Sequence, residues 1–445
     1  MPSMQISVFG CGYLGAVHAA CLASLGHEVI GIDVLDSQVA ALSEGRAPFH
    51  EPDFPELLQS ALATGRLHFT TDASAAAGAT VHFICVGTPQ RKGENAADVS
   101  YVDSATDSIL GVLKPDDVVV GKSTVPVGTA SRLAQRILAT EPTAHLMWNP
   151  EFLREGHAVA DTLEPDRLVY GVADGDSSAD TVEVLDEVYA AMISAGVPRR
   201  VTDLTTAELV KTAANSFLAT KISFINAMAE LCEAAGGDVT ELADAIGMDK
   251  RIGRSFLNAG LGFGGGCLPK DIRAFMARAG ELGADQALSF LREVDAINMR
   301  RRVRMVDLAR EECGGSLAGR RIAVLGAAFK PHSDDVRDSP ALSVATQMQL
   351  QGATVVVTDP QAIANAARKW PDLQFAETVP KTVTGAELLL VLTEWPEYVA
   401  LDPAETKTMV AQARVLDGRN CLDAAAWRAA GWTYRALGRR DPTSV

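Results

Sequence analysis

The chain has 445 residues, 47% of them hydrophobic and 22% charged, with a formal net charge of −16. That length exceeds one ordinary domain, and the acidic balance argues against non-specific binding to nucleic acid or to an anionic membrane surface. No apolar run is long enough for a bilayer, and MPSMQISVFG lacks the basic-then-apolar order of a signal peptide, so a cytoplasmic protein is expected. The seven cysteines are odd in number and form no C-x-x-C pair, and the eight histidines show no H-x-x-x-H spacing. Neither a disulfide framework nor a metal is expected.

Through the first 200 residues, short apolar runs alternate with helical patterns. QISVFG, EVIGID, VHFICVGTP, DVVVGKSTV and AHLMWNP each read as a buried strand ending in turn residues, with helices between them such as Ala16 to Leu25. This order predicts a parallel sheet with helices on both faces. From about Thr205 the pattern changes to roughly thirty residues without proline or interior glycine, with Leu209, Ala213, Phe217, Ile225, Met228 and Leu231 at helical spacing. A helix of that length reaches about 45 Å, so it is expected to run between domains and to support a subunit interface. A second long helical pattern covers Asp285 to Glu312. RIAVLG, ATVVVTDP, AELLLVLTE and ARVLDGRN then restart the strand-helix alternation, which predicts a second α/β domain.

Gly10, Gly12 and Gly15 form G-x-G-x-x-G after the first strand and at the start of a helix, and Asp33 ends the next strand eighteen residues after the last of them. Glycines there permit a tight turn and close approach of a pyrophosphate, which the helix N-terminus attracts. Asp33 would accept from the adenosine ribose hydroxyls and repel a 2′-phosphate, which favours NAD over NADP. Thr88 and Thr124 follow later strands, where an open parallel sheet holds ligands; a threonine taken alone is more often a turn or cap residue.

A second constellation surrounds GLGFGGGCLPKD, residues 260–271. Burial in a core would not call for three glycines before Cys267; glycines admit close approach, and a nearby cation such as Lys270 would raise the thiolate fraction. Cys267 is therefore a candidate covalent nucleophile, against the alternative of a small buried hydrophobe. Lys211 and Asn215 share one face of the long helix, which also reads as a solvated face. Glu151 and Glu155 lie just past a strand and could flank a ligand or cap a helix. Lys330 and Arg337 stand in the loop after RIAVLG, where cations suit phosphate, although Asp334, Asp335 and Asp338 also permit a salt-bridged surface loop.

In this order GCGYLG with Asp33, KSTVPVGT, NPEFLREG, ELVKTAANSFLA, GFGGGCLPKD and GAAFKPHSDDVRDSP resemble the UDP-glucose/GDP-mannose dehydrogenase family over nearly the whole chain, most closely its members acting on UDP-glucose. The resemblance implies an α/β protein with two Rossmann-like doubly wound domains joined by a central long-helix dimerisation region. By residue number these are an NAD-binding domain at 1–200, a helical and catalytic region at 201–312 and a UDP-sugar-binding domain at 313–445. It implies a homodimer that takes UDP-glucose through a four-electron oxidation at its 6-hydroxyl with two NAD reduced. Cys267 is then the nucleophile, Lys211, Asn215 and Asp271 surround the reacting carbon, Glu151 assists proton transfer, and Thr124 helps hold a water that accepts the first proton. The cofactor would meet Gly10, Gly12, Tyr13, Leu14, Gly15, Asp33, Thr88, Thr124, Glu155 and Arg337. The substrate would meet Glu151, Phe152, Leu153, Lys211, Asn215, Phe256, Asn258, Gly264, Lys330 and Arg419, and Arg251 would reach the neighbouring subunit's substrate. Gln38 stands where relatives often carry Lys or Arg, which implies weaker hold on NAD, and Gly266, in place of a frequent serine, is expected to widen the thiol's surroundings. CLPKD is shared with GDP-mannose dehydrogenases, so GDP-mannose or a UDP-N-acetylhexosamine under the same mechanism is the nearest alternative. A two-electron hydroxyacid dehydrogenase of 6-phosphogluconate type, needing no nucleophilic cysteine, is the alternative of different mechanism.

Overall fold

The structure is a computed structural model that describes residues 3–173 and 179–440. The chain divides into two compact units, Met1–Ala214 with Arg273–Gly283, and Asn215–Ile272 with Ala284–Val445.

The first unit is built on eight strands: β1 (Gln5–Phe9), β2 (Glu28–Ile32), β3 (Leu67–Thr70), β4 (Val81–Ile84), β5 (Val118–Gly121), β6 (His145–Trp148), β7 (Leu168–Val172) and β8 (Arg199–Asp203). Their order is β3-β2-β1-β4-β5-β6-β7-β8. The first six run parallel, in the doubly wound order that leaves a crevice between β1 and β4 at the carboxyl ends of the strands. Every side chain of β4 and β5 is buried, which is why those strands read as unbroken apolar runs. The expected parallel sheet continues differently past β6. After Trp148 the chain stays at the carboxyl end of the sheet, so β7 enters from that side and pairs antiparallel with β6. β8, with sequence RRVTD and largely exposed side chains, closes the edge; it offers no apolar run to read.

The second unit carries a six-stranded, fully parallel sheet of β9 (Arg321–Leu325), β10 (Thr354–Thr358), β11 (Gln374–Phe375), β12 (Leu388–Val391), β13 (Arg414–Asp417) and β14 (Thr433–Ala436), in the order β11-β10-β9-β12-β13-β14. One apolar core, formed by Leu261 and residues from Met305 to Leu437, covers its faces.

Five helices matter for the site: α1 (Tyr13–Ser24), α2 (Leu204–Ala235), α3 (Leu268–Glu281), α4 (Phe290–Glu312) and α5 (Pro340–Leu350). The long helix expected from about Thr205 is α2, with 32 residues. Its packing departs from the apolar pattern in the sequence. Glu208, Lys211, Thr212, Asn215, Ser216, Ser223 and Asn226 are buried, whereas Phe217, Phe224 and Leu231 are 66%, 49% and 59% exposed. Seven-residue spacing puts these three on one stripe. The second long helix begins later than expected, at Phe290, after a short 3-10 turn at Asp285–Leu288.

Candidate active site

In the first unit the three glycines after β1 have three separate reasons. Gly10 adopts φ +89°, and a Cβ there would come within 2.6 Å of Val86 Cγ1. A Cβ on Gly15 would lie 1.8 Å from the Gly10 carbonyl oxygen, so only glycine lets α1 leave the strand this closely. Gly12 meets nothing within 4 Å, and as the N-cap of α1 it carries no side-chain cap. The free helix start and the open surface beside it fit a pyrophosphate. The Asp33 carboxylate accepts from Cys11 N at 2.7 Å and Leu35 N at 3.0 Å, which fixes it at the end of β2. Gln38 Nε2 donates to the Cys11 carbonyl at 2.7 Å, so this residue braces the glycine turn. Thr88 Oγ1 donates to the Thr124 carbonyl at 2.6 Å, tying the ends of β4 and β5. These residues fit a dinucleotide across the crevice. Leu14 is half-buried, and the Tyr13 hydroxyl donates to Glu51.

The segment after β6 is held at both ends. Glu51, buried, accepts from Gly156 N at 2.6 Å and Ala158 N at 2.7 Å. Asn149 Oδ1 accepts from Lys122 Nζ at 2.9 Å and from Tyr189 Oη at 2.7 Å. Between these anchors, Glu151 pairs with Lys211 (Oε1 to Nζ, 2.9 Å) and accepts from Leu153 N at 2.7 Å. Lys211 Nζ also stands 5.6 Å from the Phe152 ring centroid, and Glu155 is half-buried in the same segment. Lys211 is therefore no solvated lysine: it is 5% exposed and salt-bridged.

In the second unit Cys267 is exposed, while five of the other cysteines are buried and Cys421 is half-buried. It directly precedes α3, and its carbonyl accepts the Asp271 N–H at 2.9 Å, as an N-cap does. A thiol at a helix N-terminus faces the positive end of the macrodipole, which favours the thiolate. Pro269 lies in the first helical turn, where its missing N–H costs no bond. Asp271 is 2% exposed; its carboxylate accepts from Asn215 Nδ2 at 2.6 Å and from Lys270 Nζ at 2.5 Å. Lys270, read from the sequence as a cation for the thiol, pairs with the Asp271 carboxylate.

The loop leading to Cys267 is gripped along its length. Asn226 Oδ1 accepts from Gly260 N at 2.9 Å, and Leu261 N donates to the Gly418 carbonyl at 3.0 Å. Asn298 of α4 pairs with both backbone groups of Phe263, accepting its N–H at 2.7 Å and donating to its carbonyl at 3.0 Å. Arg302, one turn further along α4, binds Asp338 at 2.8 Å and the Phe263 carbonyl at 3.3 Å. Gly265 N donates to the Arg337 carbonyl at 2.8 Å. These approaches explain the glycines. A Cβ on Gly262 would sit 2.1 Å from Asn298 Oδ1, and on Gly264 2.3 Å from the Asp338 carbonyl oxygen. On Gly266 it would sit 2.1 Å from Arg337 Cζ. The expectation that Gly266 widens the space around the thiol is therefore corrected: the Arg337 guanidinium fills the place that a larger residue would take.

Arg337 also pairs with Asp335, Nη2 to Oδ2 at 2.7 Å. Lys330 Nζ stands 5.6 Å from the Phe329 ring centroid. Arg419 donates to the carbonyls of Leu392 at 2.8 Å, Gly262 at 2.9 Å and Phe329 at 3.2 Å, which makes it a clamp between loops. Arg251 is exposed and pairs with Asp249; Asn258 accepts from Arg254 at 2.7 Å; Phe256 holds φ +65°.

Sequence reading missed Glu51, Lys122, Asn226, Asn298 and Arg302. A signal existed for the last two: Asn298 is a poor helix former in mid-helix, and Arg302 lies four residues on, hence on the same face. The run RRRVR around them resembles a solvated surface, yet Asn298, Arg301 and Arg302 are buried.

A Rossmann cradle of this form defines an NAD-dependent oxidoreductase, and the comparisons agree. Models of the UDP-glucose/GDP-mannose dehydrogenase family match its NAD binding domain at residues 4–193, its central domain at 205–300 and its UDP binding domain at 323–424. The chain belongs to that family. It is 41% identical over 441 residues to a UDP-glucose 6-dehydrogenase of Rhizobium meliloti (strain 1021), covering 98% of this chain and 100% of that one. It is 39% identical over 442 residues to the UDP-glucose 6-dehydrogenase TuaD of Bacillus subtilis (strain 168), covering 98% and 93%. The solved structure of a UDP-glucose dehydrogenase from Pyrobaculum islandicum matches with a TM-score of 0.89 at 38% identity, over 98% of both chains.

Proposed function

We propose that the chain oxidises the 6-hydroxyl of UDP-glucose to the carboxylate of UDP-glucuronate through a covalent intermediate on Cys267. The observation that carries this is the exposed Cys267 thiol at the start of α3, four residues before a buried, doubly bonded Asp271. Relatives at 41% and 39% identity that are UDP-glucose 6-dehydrogenases support the choice of sugar. NAD, held by the glycine turn at Gly10, Gly12 and Gly15 and by Asp33, would supply the hydride acceptor for both oxidation steps. In the first, Lys211 stabilises the alkoxide that forms as the hydroxyl proton leaves to a water held by Thr124 and Asp271. The Cys267 thiolate then adds to the aldehyde carbon, giving a thiohemiacetal that again offers a C–H beside an oxyanion. Loss of its hydroxyl proton and second hydride leaves a thioester. Glu151 activates the water that cleaves it, returning the thiol. The sum is one alcohol, two NAD and one water giving a carboxylate, two NADH and three protons.

In this reading Gly10, Gly12, Tyr13, Leu14, Gly15, Asp33, Thr88, Thr124, Glu155 and Arg337 serve the cofactor. Phe152, Leu153, Asn215, Phe256, Asn258, Gly264, Lys330, Arg419 and, from a second subunit, Arg251 serve the substrate. The cytoplasm is the location this reading takes, since its reducing poise keeps a thiol nucleophile available. Purified protein is expected to form two NADH for each UDP-glucose consumed. One NADH per sugar would reject the covalent route, and oxidation of GDP-mannose alone would change the substrate. The exposed stripe Phe217, Phe224 and Leu231 supports a homodimer through α2. Sedimentation is expected to give a dimer that Phe224→Asp weakens; a wild-type monomer would reject it.

A further inference from the structure

Lys122 ends up buried just past β5, 7% exposed, and the covalent scheme above leaves it unused. Its ammonium donates to Asn149 Oδ1 at 2.9 Å and Tyr189 Oη at 3.3 Å, both neutral groups. The rings of Tyr189 and Phe83 lie 5.6 Å and 5.9 Å away. Among the described residues no carboxylate comes within 4.0 Å of it. A buried cation without an ion-pair partner costs the fold stability, and an apolar residue of similar length would cost less. Charge retained at such cost inside a catalytic unit points to function.

Two consequences of its position are visible. First, the Asn149 amide is fixed on every side: Oδ1 by Lys122 and Tyr189, Nδ2 by the Val169 carbonyl at 2.9 Å, and its backbone N–H by the Gly121 carbonyl at 2.8 Å. That sets the chain two residues before Glu151. Second, Lys122 interacts electrostatically with both Glu151 and Lys211. Glu151 and Lys211 neutralise each other, so Lys122 leaves the three-residue cluster with one net positive charge.

We propose that Lys122 is a positioning residue for this oxidation, acting through Asn149 on the placement of Glu151 and supplying the net positive charge behind Lys211 that favours an oxyanion on the sugar carbon. This rests on the roles proposed above for Glu151 and Lys211.

The groups that face Lys122 are His18 from α1, Cys85 after β4, Glu151 after β6, Tyr189 and Lys211 from α2. Burial lowers its pKa to about 8, opposed by Cys85 and Glu151 and assisted by Lys211. The group is therefore cationic at neutral pH. Its folded value lies below the unfolded value of about 10.4, so the penalty is complete below pH 8 and is relieved as pH rises towards 10.4.

The full-length Lys122→Met variant tests this with UDP-glucose and NAD. Its kcat is expected to fall about tenfold or more, as when a preorganised oxyanion-stabilising group is lost, with KM changed less than about threefold. Its denaturant midpoint at pH 7 is expected to equal or exceed the wild type's, with any gain shrinking above pH 8. Wild-type kcat is expected to decline above about pH 8, a limb missing from the variant. An unchanged kcat, a midpoint that falls along with kcat, or a limb that persists would each overturn the proposal. Failure of the underlying reaction would instead appear as one NADH per sugar in the wild type.

Discussion

Cys267→Ser is expected to lose net production of UDP-glucuronate by on the order of 10³-fold or more while still binding NAD. The hydroxyl is smaller, reaches less far and is a far weaker acid than a thiol, so the adduct needed for the second hydride transfer does not form. The six other cysteines cannot substitute: five are buried, and burial raises the thiol of half-buried Cys421, with Asp417 adding to the effect. A rapid-mixing measurement of NADH on the variant should give at most one equivalent. Mass spectrometry of wild-type enzyme quenched during turnover should find the sugar on the peptide carrying Cys267. Wild-type rates from the serine variant, or an adduct on another peptide, would remove the covalent step.

Gly264→Ala is the second large effect. The new methyl would meet the Asp338 carbonyl oxygen at 2.3 Å and Pro340 Cδ at 2.8 Å, and neither can swing away because both belong to the backbone and ring at the start of α5. The loop before Cys267 must shift, at a cost of about 1–3 kcal/mol in stability. A displacement of about 1 Å at the nucleophile costs about 10²-fold in kcat. Gly266→Ala is the informative companion. The three atoms nearest its methyl all belong to the Arg337 guanidinium, the far end of a flexible side chain, so its stability loss should be the smaller of the two. Urea midpoints and kcat for both variants check the pair; a Gly264→Ala protein with wild-type values would mean that the grip on this loop has no catalytic consequence.

Both α/β halves were legible because parallel strands buried on two faces leave continuous apolar runs, as VVVG in β5 and LLLV in β12 do. Strands without such runs escaped: edge strand β8 reads RRVTD, and β11 has two residues. The polarity of β7 was not legible either, because it depends on where the segment after Trp148 turns. On α2 the buried face mixes apolar residues such as Ala219, Ile225 and Ala229 with polar ones such as Lys211 and Asn215, while Phe217, Phe224 and Leu231 form an exposed stripe, a division that periodicity alone cannot distinguish.

The chemistry of single positions could be read without coordinates. Glycine at 10, 12 and 15, a carboxylate at 33 and a thiol before a helix at 267 follow from backbone conformation and side-chain type, which are local properties. Which groups support them depends on long-range folding. Asn298 and Arg302 reach a loop 35 to 39 residues earlier, Glu51 reaches Ala158 across 107 residues, and Lys122 reaches Tyr189 across 67. Those pairings arise when distant segments fold onto shared sheets, and a buried polar group shows its purpose only once its partner is in place.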